Sequence, residues 1–192
     1  MPISLSQCPM KRGFILAAFL AATAAFGCVV VQPTIAPPAP EAHAAPLPFK
    51  GRLADGDPAQ LPPSVAMSLS DTSPVSFLYR EELTHEDRHS SMAGSALNPL
   101  TYAGYPTGEY TVTAFASLSI VEGDKVLGDY TAQAHVSESY NLYAEPTHKE
   151  LDEAARAAAR RQVDQYLYND RDRLAQQFAN SAQTATGAAA GK

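Results

Sequence analysis

Residues 110–136 read YTVTAFASLSIVEGDKVLGDYTAQAHV, and apolar residues alternate with polar ones on both sides of a central Glu-Gly-Asp. Alternation of this kind indicates strands with one buried face, because successive side chains of a strand point to opposite sides of the sheet. Gly123 and Asp124 provide turn chemistry between the two runs. The sequence therefore predicts a long β-hairpin over about 109–143.

The register of this hairpin follows from keeping both apolar sets on one face. Even-numbered residues must then pair with even-numbered ones, as they do if a three-residue loop places Val121 opposite Lys125. In that register Ala116 lies opposite Tyr130. Four small residues on the apolar face leave a shallow trough that another element must fill. These are Ala114, Ala116, Ala132 and Ala134.

A C-terminal helix over about 148–179 is expected to fill the trough. Thr147 and Glu150 have the spacing of a capping box, which places the start of the helix there. We expect Arg160 and Asp164, four residues apart, to lie on the outside and to pair. An apolar stripe repeats at helical spacing. It consists of Leu151, Ala155, Ala159, Val163, Leu167, Leu174 and Phe178.

The folded part of the chain is predicted to be a single α+β domain over 64–180, in which a small antiparallel sheet packs against the C-terminal helix. Two short strands are expected before the hairpin. One contains Val65, Met67 and Leu69, which alternate with polar residues, and the other is the apolar run 75–79.

The segments on either side of this domain have different compositions. Prolines recur through 28–63 and predict an extended tether that forms neither helix nor sheet. Residues 32–49 alone could hold the domain about 55 Å from the membrane surface. Residues 181–192 are rich in Ala, Thr, Gly and Gln without periodicity, and we expect a disordered tail there.

The hairpin and the helix together resemble the lipopolysaccharide-assembly lipoproteins of the outer membrane. The similarity covers 110–174: a hairpin turn of Glu-Gly-Asp-Lys, a second strand that runs into Ser139-Tyr140, and a helix rich in Ala and Arg, as in Ala154-Ala155-Arg156-Ala157. The resemblance implies a partner in envelope assembly rather than catalysis.

Residues 1–27 have the organisation of a signal peptide, whose start is Met1 or Met10. Lys11 and Arg12 form a basic head. The apolar run 13–27 would rise only about 22 Å as a helix, which is too short to cross a hydrocarbon core of about 30 Å. An ordinary cleaved signal peptide and an uncleaved membrane helix extended to residue 31 are the alternatives to a lipid anchor.

The lipid anchor is indicated by Cys28. The segment Ala25-Phe26-Gly27-Cys28 resembles the lipobox of bacterial lipoproteins, whose cysteine receives a diacylglyceryl group before cleavage and then becomes the acylated N-terminus, with palmitate a typical acyl chain. The resemblance implies that Cys28 is lipidated. Because Val29 rather than Asp follows the cysteine, it further implies sorting to the outer membrane, with the domain facing the periplasm.

The charge of the mature chain limits its partners. Cleavage before Cys28 removes 27 of the 192 residues, including Lys11 and Arg12, and takes the net charge from −6 to −8. An acidic body is repelled by phosphate backbones, so we expect no nucleic-acid partner. The membrane contact is expected to be the acyl chains alone, with an envelope protein as the possible further partner and no cofactor.

Residues 85–89 read HEDRH and match the H-E-x-x-H spacing of zinc peptidases. His85, Glu86 and His89 are therefore candidate zinc-site residues, with Glu109 as the candidate third ligand. Polar residues surround the motif on both sides, whereas a zinc-binding helix has apolar flanks. We therefore expect a solvated loop or a short surface helix, with no metal and no catalytic residues.

Tyr102, Tyr105 and Tyr110 lie close to Pro99, Gly104 and Pro106 and could form either an aromatic contact loop or packing at a sheet edge. The sequence as a whole favours a membrane-anchored bacterial lipoprotein of the cell envelope with a non-catalytic binding or assembly-accessory role. The alternatives are a zinc-dependent hydrolase that uses HEDRH and a structural spacer lipoprotein.

Overall fold

The computed structural model describes residues 33–41, 46–70, 72–89 and 98–190, with the backbone alone for 182–190. The chain from residue 31 onward forms one compact unit. Its strands are β1 (Thr34–Ala36), β2 (Lys50–Asp55), β3 (Ala66–Met67), β4 (Val75–His89), β5 (Gly108–Glu122) and β6 (Lys125–Tyr140). Its helices are a short 3-10 turn (Pro58–Gln60), α1 (Pro99–Tyr102) and α2 (His148–Ala190).

The six strands form one curled sheet, a half-barrel, in the order β1-β6-β5-β4-β2-β3. The α+β class is confirmed, but the prediction of a purely antiparallel sheet is wrong. β2 pairs in parallel with both β3 and β4, whereas β4, β5, β6 and β1 are antiparallel to their neighbours. β2 and β4 run in the same direction because the segment between them carries the chain back to the end of the sheet at which β2 began.

The hairpin β5–β6 is present with a register that differs from the predicted one. Glu122 pairs with Lys125 across a two-residue turn, in which Gly123 has a φ of 59°. A bulge next to the turn then inserts Leu127, so that Ile120 pairs with Gly128. The bulge restores the pairing of even-numbered residues with even-numbered ones. The predicted common apolar face is therefore confirmed, although the pairing on it is shifted by two residues.

Helix α2 packs against this face of the sheet. It begins at His148, as predicted, and the predicted apolar stripe from Leu151 to Leu174 is buried, with Phe178 partly buried. The four alanines of the trough are almost fully buried, so the helix fills it. The backbone of α2 continues to Ala190, so the prediction of a disordered tail over 181–192 is wrong for 181–190. Among the helices described, none contains an apolar stretch of the length that a bilayer span requires.

The proline-rich stretch contributes to the fold, contrary to the predicted tether over 28–63. β1 pairs with β6 and β2 pairs with β4, and Leu47 and Phe49 lie in the core. The ring of Phe49 lies 5.1 Å from that of Phe178 on α2. Proline excludes helix, but it permits short strands between prolines, which is how this stretch joins the sheet.

Other early elements also differ from the predictions. Val65 is buried, but Met67 and Leu69 are exposed, and only Ala66–Met67 forms a strand. The strand predicted at 75–79 extends to His89, because it pairs with β5 along its whole length.

A buried carboxylate ties the early segment to α2. Asp164 accepts hydrogen bonds from the backbone N–H of Ser64 (2.9 Å) and from its hydroxyl. The expected Arg160–Asp164 surface pair is therefore wrong. Arg160 instead pairs with Glu81 on β4, at 3.3 Å.

Candidate functional site

The HEDRH motif forms the last five residues of β4, so the predicted loop or surface helix is wrong. In an extended strand the α-carbons of His85 and His89 lie about 13 Å apart, whereas a helix would place them one turn apart. Glu86 points to the opposite face and pairs with Arg88 at 2.8 Å. Glu109 lies opposite Arg88 on the neighbouring strand.

The structure therefore does not bring the four candidate zinc-site residues together. His85 and His89 lie on the face of β4 that points toward α2, and Glu86 and Glu109 belong to the other face. Within the described residues, no three histidine, cysteine or carboxylate side chains are grouped closely enough to hold a metal ion.

His85 instead takes part in contacts that join the sheet to the first turn of α2. Its Nε2 lies 2.8 Å from Oδ1 of Asp152. Its ring stacks on Tyr110, with 6.0 Å between centroids, and Tyr110 meets the ring of His148 edge-on at 4.3 Å. Burial, followed by the charges of Asp152 and Asp87, raises the pKa of Tyr110. These four side chains, together with Tyr140, Asp87 and His89, are called the His–Asp–Tyr cluster below.

The second half of the cluster is built around Tyr140 at the end of β6. Its hydroxyl donates to Oδ1 of Asp87 (2.7 Å) and also contacts Nδ1 of His89. His89 Nε2 lies 3.1 Å from the other oxygen of Asp87. Burial and then the hydrogen bond to Asp87 raise the pKa of Tyr140 to about 12. At neutral pH this phenol is protonated and acts as a hydrogen-bond donor.

Sequence reasoning missed Asp87, Asp152 and Tyr140 as members of this cluster. The alternation of β4 could have identified Asp87, since it places the odd-numbered residues of 75–89 on one face. The partners on β6 and α2 depend on long-range pairing, for which the local sequence carries no signal.

A polar contact also lies deeper, between β4 and the middle of α2. Glu81 is almost fully buried and accepts from the hydroxyl of Tyr79 (2.5 Å) and from Arg160. Burial and this carboxylate raise the pKa of Tyr79. One oxygen of Glu81 is buried without a partner in the structure. The contact marks the boundary between the apolar core and the His–Asp–Tyr cluster.

Two connecting segments, 98–107 and 141–147, meet beyond the cluster at the same end of the sheet. The N–H of Thr107 donates to the carbonyl of Tyr140 (2.8 Å), and the Asn141 amide donates to the carbonyl of Gly104 (3.2 Å). The Tyr143 hydroxyl donates to the carbonyl of Tyr102 (3.0 Å). The two segments are therefore fixed to each other.

Large apolar side chains are exposed on these segments, and we call them the Tyr–Leu patch. Its members are Leu100, Tyr102, Tyr105, Leu142 and Tyr143. Of the three tyrosines considered for an aromatic contact loop or for packing at a sheet edge, Tyr102 and Tyr105 are exposed and Tyr110 is buried in β5.

A shallow recess of about 720 Å³ lies beside the end of β2, against the middle of β4, β5 and β6. Phe115 contributes an exposed ring to it, and Asp55, Asp57 and Glu82 contribute carboxylates. Arg80 also lines the recess and pairs with Asp55 at 3.0 Å. The recess is therefore acidic with one aromatic surface, which suits a basic or amide-bearing segment of a partner.

No protein-family model matches the sequence, and no curated protein is significantly similar to it. Cys28 and the predicted signal peptide lie outside the described residues.

Proposed function

We propose that the protein is a lipoprotein of the bacterial envelope, anchored through Cys28, and that it acts by binding another envelope component rather than by catalysis. The observation that carries this proposal is the order of features at the N-terminus. A basic pair at 11–12, an apolar run over 13–27 and a small residue at Gly27 lead directly to Cys28. Outer-membrane sorting is part of the same proposal, because Val29 follows the cysteine.

The arrangement of the folded unit supports a binding role. The imidazoles and carboxylates of the His–Asp–Tyr cluster contact one another, so they fix the end of the sheet to α2. The recess beside Phe115 has the opposite character, since its ring and the carboxylate of Glu82 are open to solvent. We propose this recess as the contact surface for a basic segment of the envelope partner.

Intact-mass measurement tests the anchor. The wild-type protein isolated from membranes should begin at Cys28 and carry the additional mass of its acyl chains. Cys28→Ser should accumulate as the uncleaved, unlipidated precursor. A wild-type protein of unmodified mass would contradict the anchor, and recovery solely with inner-membrane fractions would contradict outer-membrane sorting.

Photo-crosslinking in intact cells tests the contact surface. A photoreactive phenylalanine at position 115 should give a discrete crosslinked product, and the same residue at position 166, where α2 carries a slightly more exposed tyrosine, should give none. Glu82→Lys should reduce the product at 115, whereas Glu150→Lys on the first turn of α2 should leave it unchanged. Equal crosslinking at 115 and 166 would count against the recess.

A further inference from the structure

The pairing of β1 fixes the direction in which the chain enters the fold. Thr34 lies opposite Ser137, Ile35 opposite Val136 and Ala36 opposite His135, in antiparallel register. The N-terminal end of β1 therefore points toward the end of β6 at Tyr140. The Tyr–Leu patch lies at that same end, on the segments that contact Tyr140.

The length of chain before β1 limits how far the anchor can be from this end. Thr34 lies six residue steps after Cys28, and a fully extended chain spans at most about 3.5 Å per residue, or about 20 Å in all. From Ser137, which lies opposite Thr34, to Tyr140 is about 10 Å along the strand. A lipid on Cys28 therefore keeps the membrane surface within reach of the Tyr–Leu patch.

The composition of the patch suits the interface of a bilayer. Tyrosine places its ring among apolar groups and its hydroxyl in water, and it is enriched where membrane and water meet. Residues 98–107 carry no charged side chain, and 141–147 carry only Glu145. The mature chain as a whole is acidic, so this end, with a single charge on its two segments, is one that lipid headgroups would oppose little.

We propose that the Tyr–Leu patch is a membrane-contact surface, which rests on the lipid interface next to the acylated Cys28 and orients the domain with this end of the sheet toward the bilayer. The inference rests on the proposed anchor. Its ligand is a lipid surface of neutral headgroups, because the patch has no cation with which to attract anionic lipid.

Single tryptophans can test this orientation, because the chain contains no tryptophan of its own. Leu142→Trp places the reporter in the patch, and Val126→Trp places it at the other end of β6, about 45 Å away along the strand. The two native side chains are matched in exposure, at 57% and 59%. Neither variant removes a buried side chain, so both should fold.

The experiment uses the mature protein, purified from membranes, shown by intact mass to be lipidated, and reconstituted into phosphatidylcholine vesicles that contain brominated lipid. Tryptophan at 142 should be quenched at least twofold more than tryptophan at 126, and its emission should shift to shorter wavelength. Adding anionic phosphatidylglycerol should not increase the quenching. Replacing Tyr102, Tyr105 and Tyr143 by serine should reduce the quenching at 142.

The outcomes separate the two proposals. Equal quenching of the two tryptophans in a lipidated protein would overturn the membrane-contact surface and leave the anchor intact. A protein without acyl mass would overturn the anchor itself. If the emission at 142 shifted only in native membranes and not in pure lipid vesicles, the patch would contact a protein, and the assignment to lipid would be wrong.

Discussion

The two halves of β4 differ sharply in burial, although side chains alternate between the two faces of the sheet along the whole strand. On the face toward α2, the first half presents Val75, Phe77 and Tyr79, all almost fully buried. The second half presents His85, Asp87 and His89, all exposed or half-exposed. Alternation therefore identifies the face that a residue occupies, but it does not determine whether that face is buried from solvent.

The path of α2 explains the difference. The helix runs antiparallel to β4, so that Asp152 contacts His85 and Arg160 contacts Glu81. Further along, Asp170 accepts from Tyr130, which pairs with Leu118 opposite Tyr79. The start of α2, with the polar side chain of Asp152, thus meets the second half of β4, whereas the first half lies in the apolar core together with Leu47, Phe49 and Val65.

The largest loss of stability should come from a substitution in the buried first half of β4. Phe77→Ala removes a fully buried ring, and the cavity together with the lost burial should lower the free energy of unfolding by about 3–5 kcal/mol. Urea unfolding followed by circular dichroism measures this loss. His85→Ala, on the same face of the same strand, serves as the control and should lose much less. Equal losses would mean that the two halves do not differ in packing.

The boundary contact should give the next largest effect. Arg160→Ala leaves the carboxylate of Glu81, whose side chain is 5% exposed, without its cation, and should cost about 2–4 kcal/mol. The double variant Glu81→Leu with Arg160→Leu should recover most of this loss, because no buried charge remains. If the double variant were as unstable as Arg160→Ala, lost packing rather than unpaired charge would be responsible.

Alkaline pH should distinguish two tyrosines whose pKa is raised to about 12. On β6, burial and Asp170 raise the pKa of Tyr130, which lies level with the buried half of β4, and burial and Asp87 raise the pKa of Tyr140, which lies level with its polar half. An unfolded tyrosine ionises near pH 10, so this stabilisation is complete below pH 10 and is lost as the pH rises toward 12.

Tyr130→Phe should flatten the loss of stability between pH 10 and 12 more than Tyr140→Phe does, because water screens the more exposed Tyr140 site. Unfolding midpoints measured at steps across this pH range provide the comparison. Identical profiles for the two variants would show that burial at the two sites is equivalent.

The smallest change in stability is expected for substitutions in the exposed second half of β4. His85→Ala combined with His89→Ala should change the stability by no more than about 0.5–1 kcal/mol, because both side chains are largely exposed and their ion pairs are screened. A chelator should leave the melting temperature unchanged. One zinc ion per chain, lost together with stability in His89→Ala, would instead support a metal site.

The parts of the fold that the sequence predicted are those with strong local periodicity. The alternation in 110–136 predicted β5, β6 and their common apolar face, and the stripe from Leu151 to Phe178 predicted α2. The exact register was not predictable, because the bulge at Leu127 follows from the geometry of the turn around Gly123.

The parts that were missed depend on distant partners. The extension of β4 through HEDRH is imposed by pairing with β5, which outweighs the low strand propensity of charged residues. In the same way, proline-rich composition concealed β1 and β2, each of which is completed by a strand far away in sequence. The candidate site was accordingly predicted as a local HEDRH motif, without its partners Asp152 on α2 and Tyr140 on β6.

The short length of β1 has a consequence for self-association. β1 covers β6 only at 135–137, so among the described strands none lies beyond β6 between Lys125 and Ala134. An open edge of this length can template the addition of a strand from a second molecule. Two features oppose such stacking: the bulge at Leu127, and Arg173, which donates to the Leu127 carbonyl at 3.4 Å. Substitutions that remove them should make concentrated samples prone to edge-to-edge aggregation.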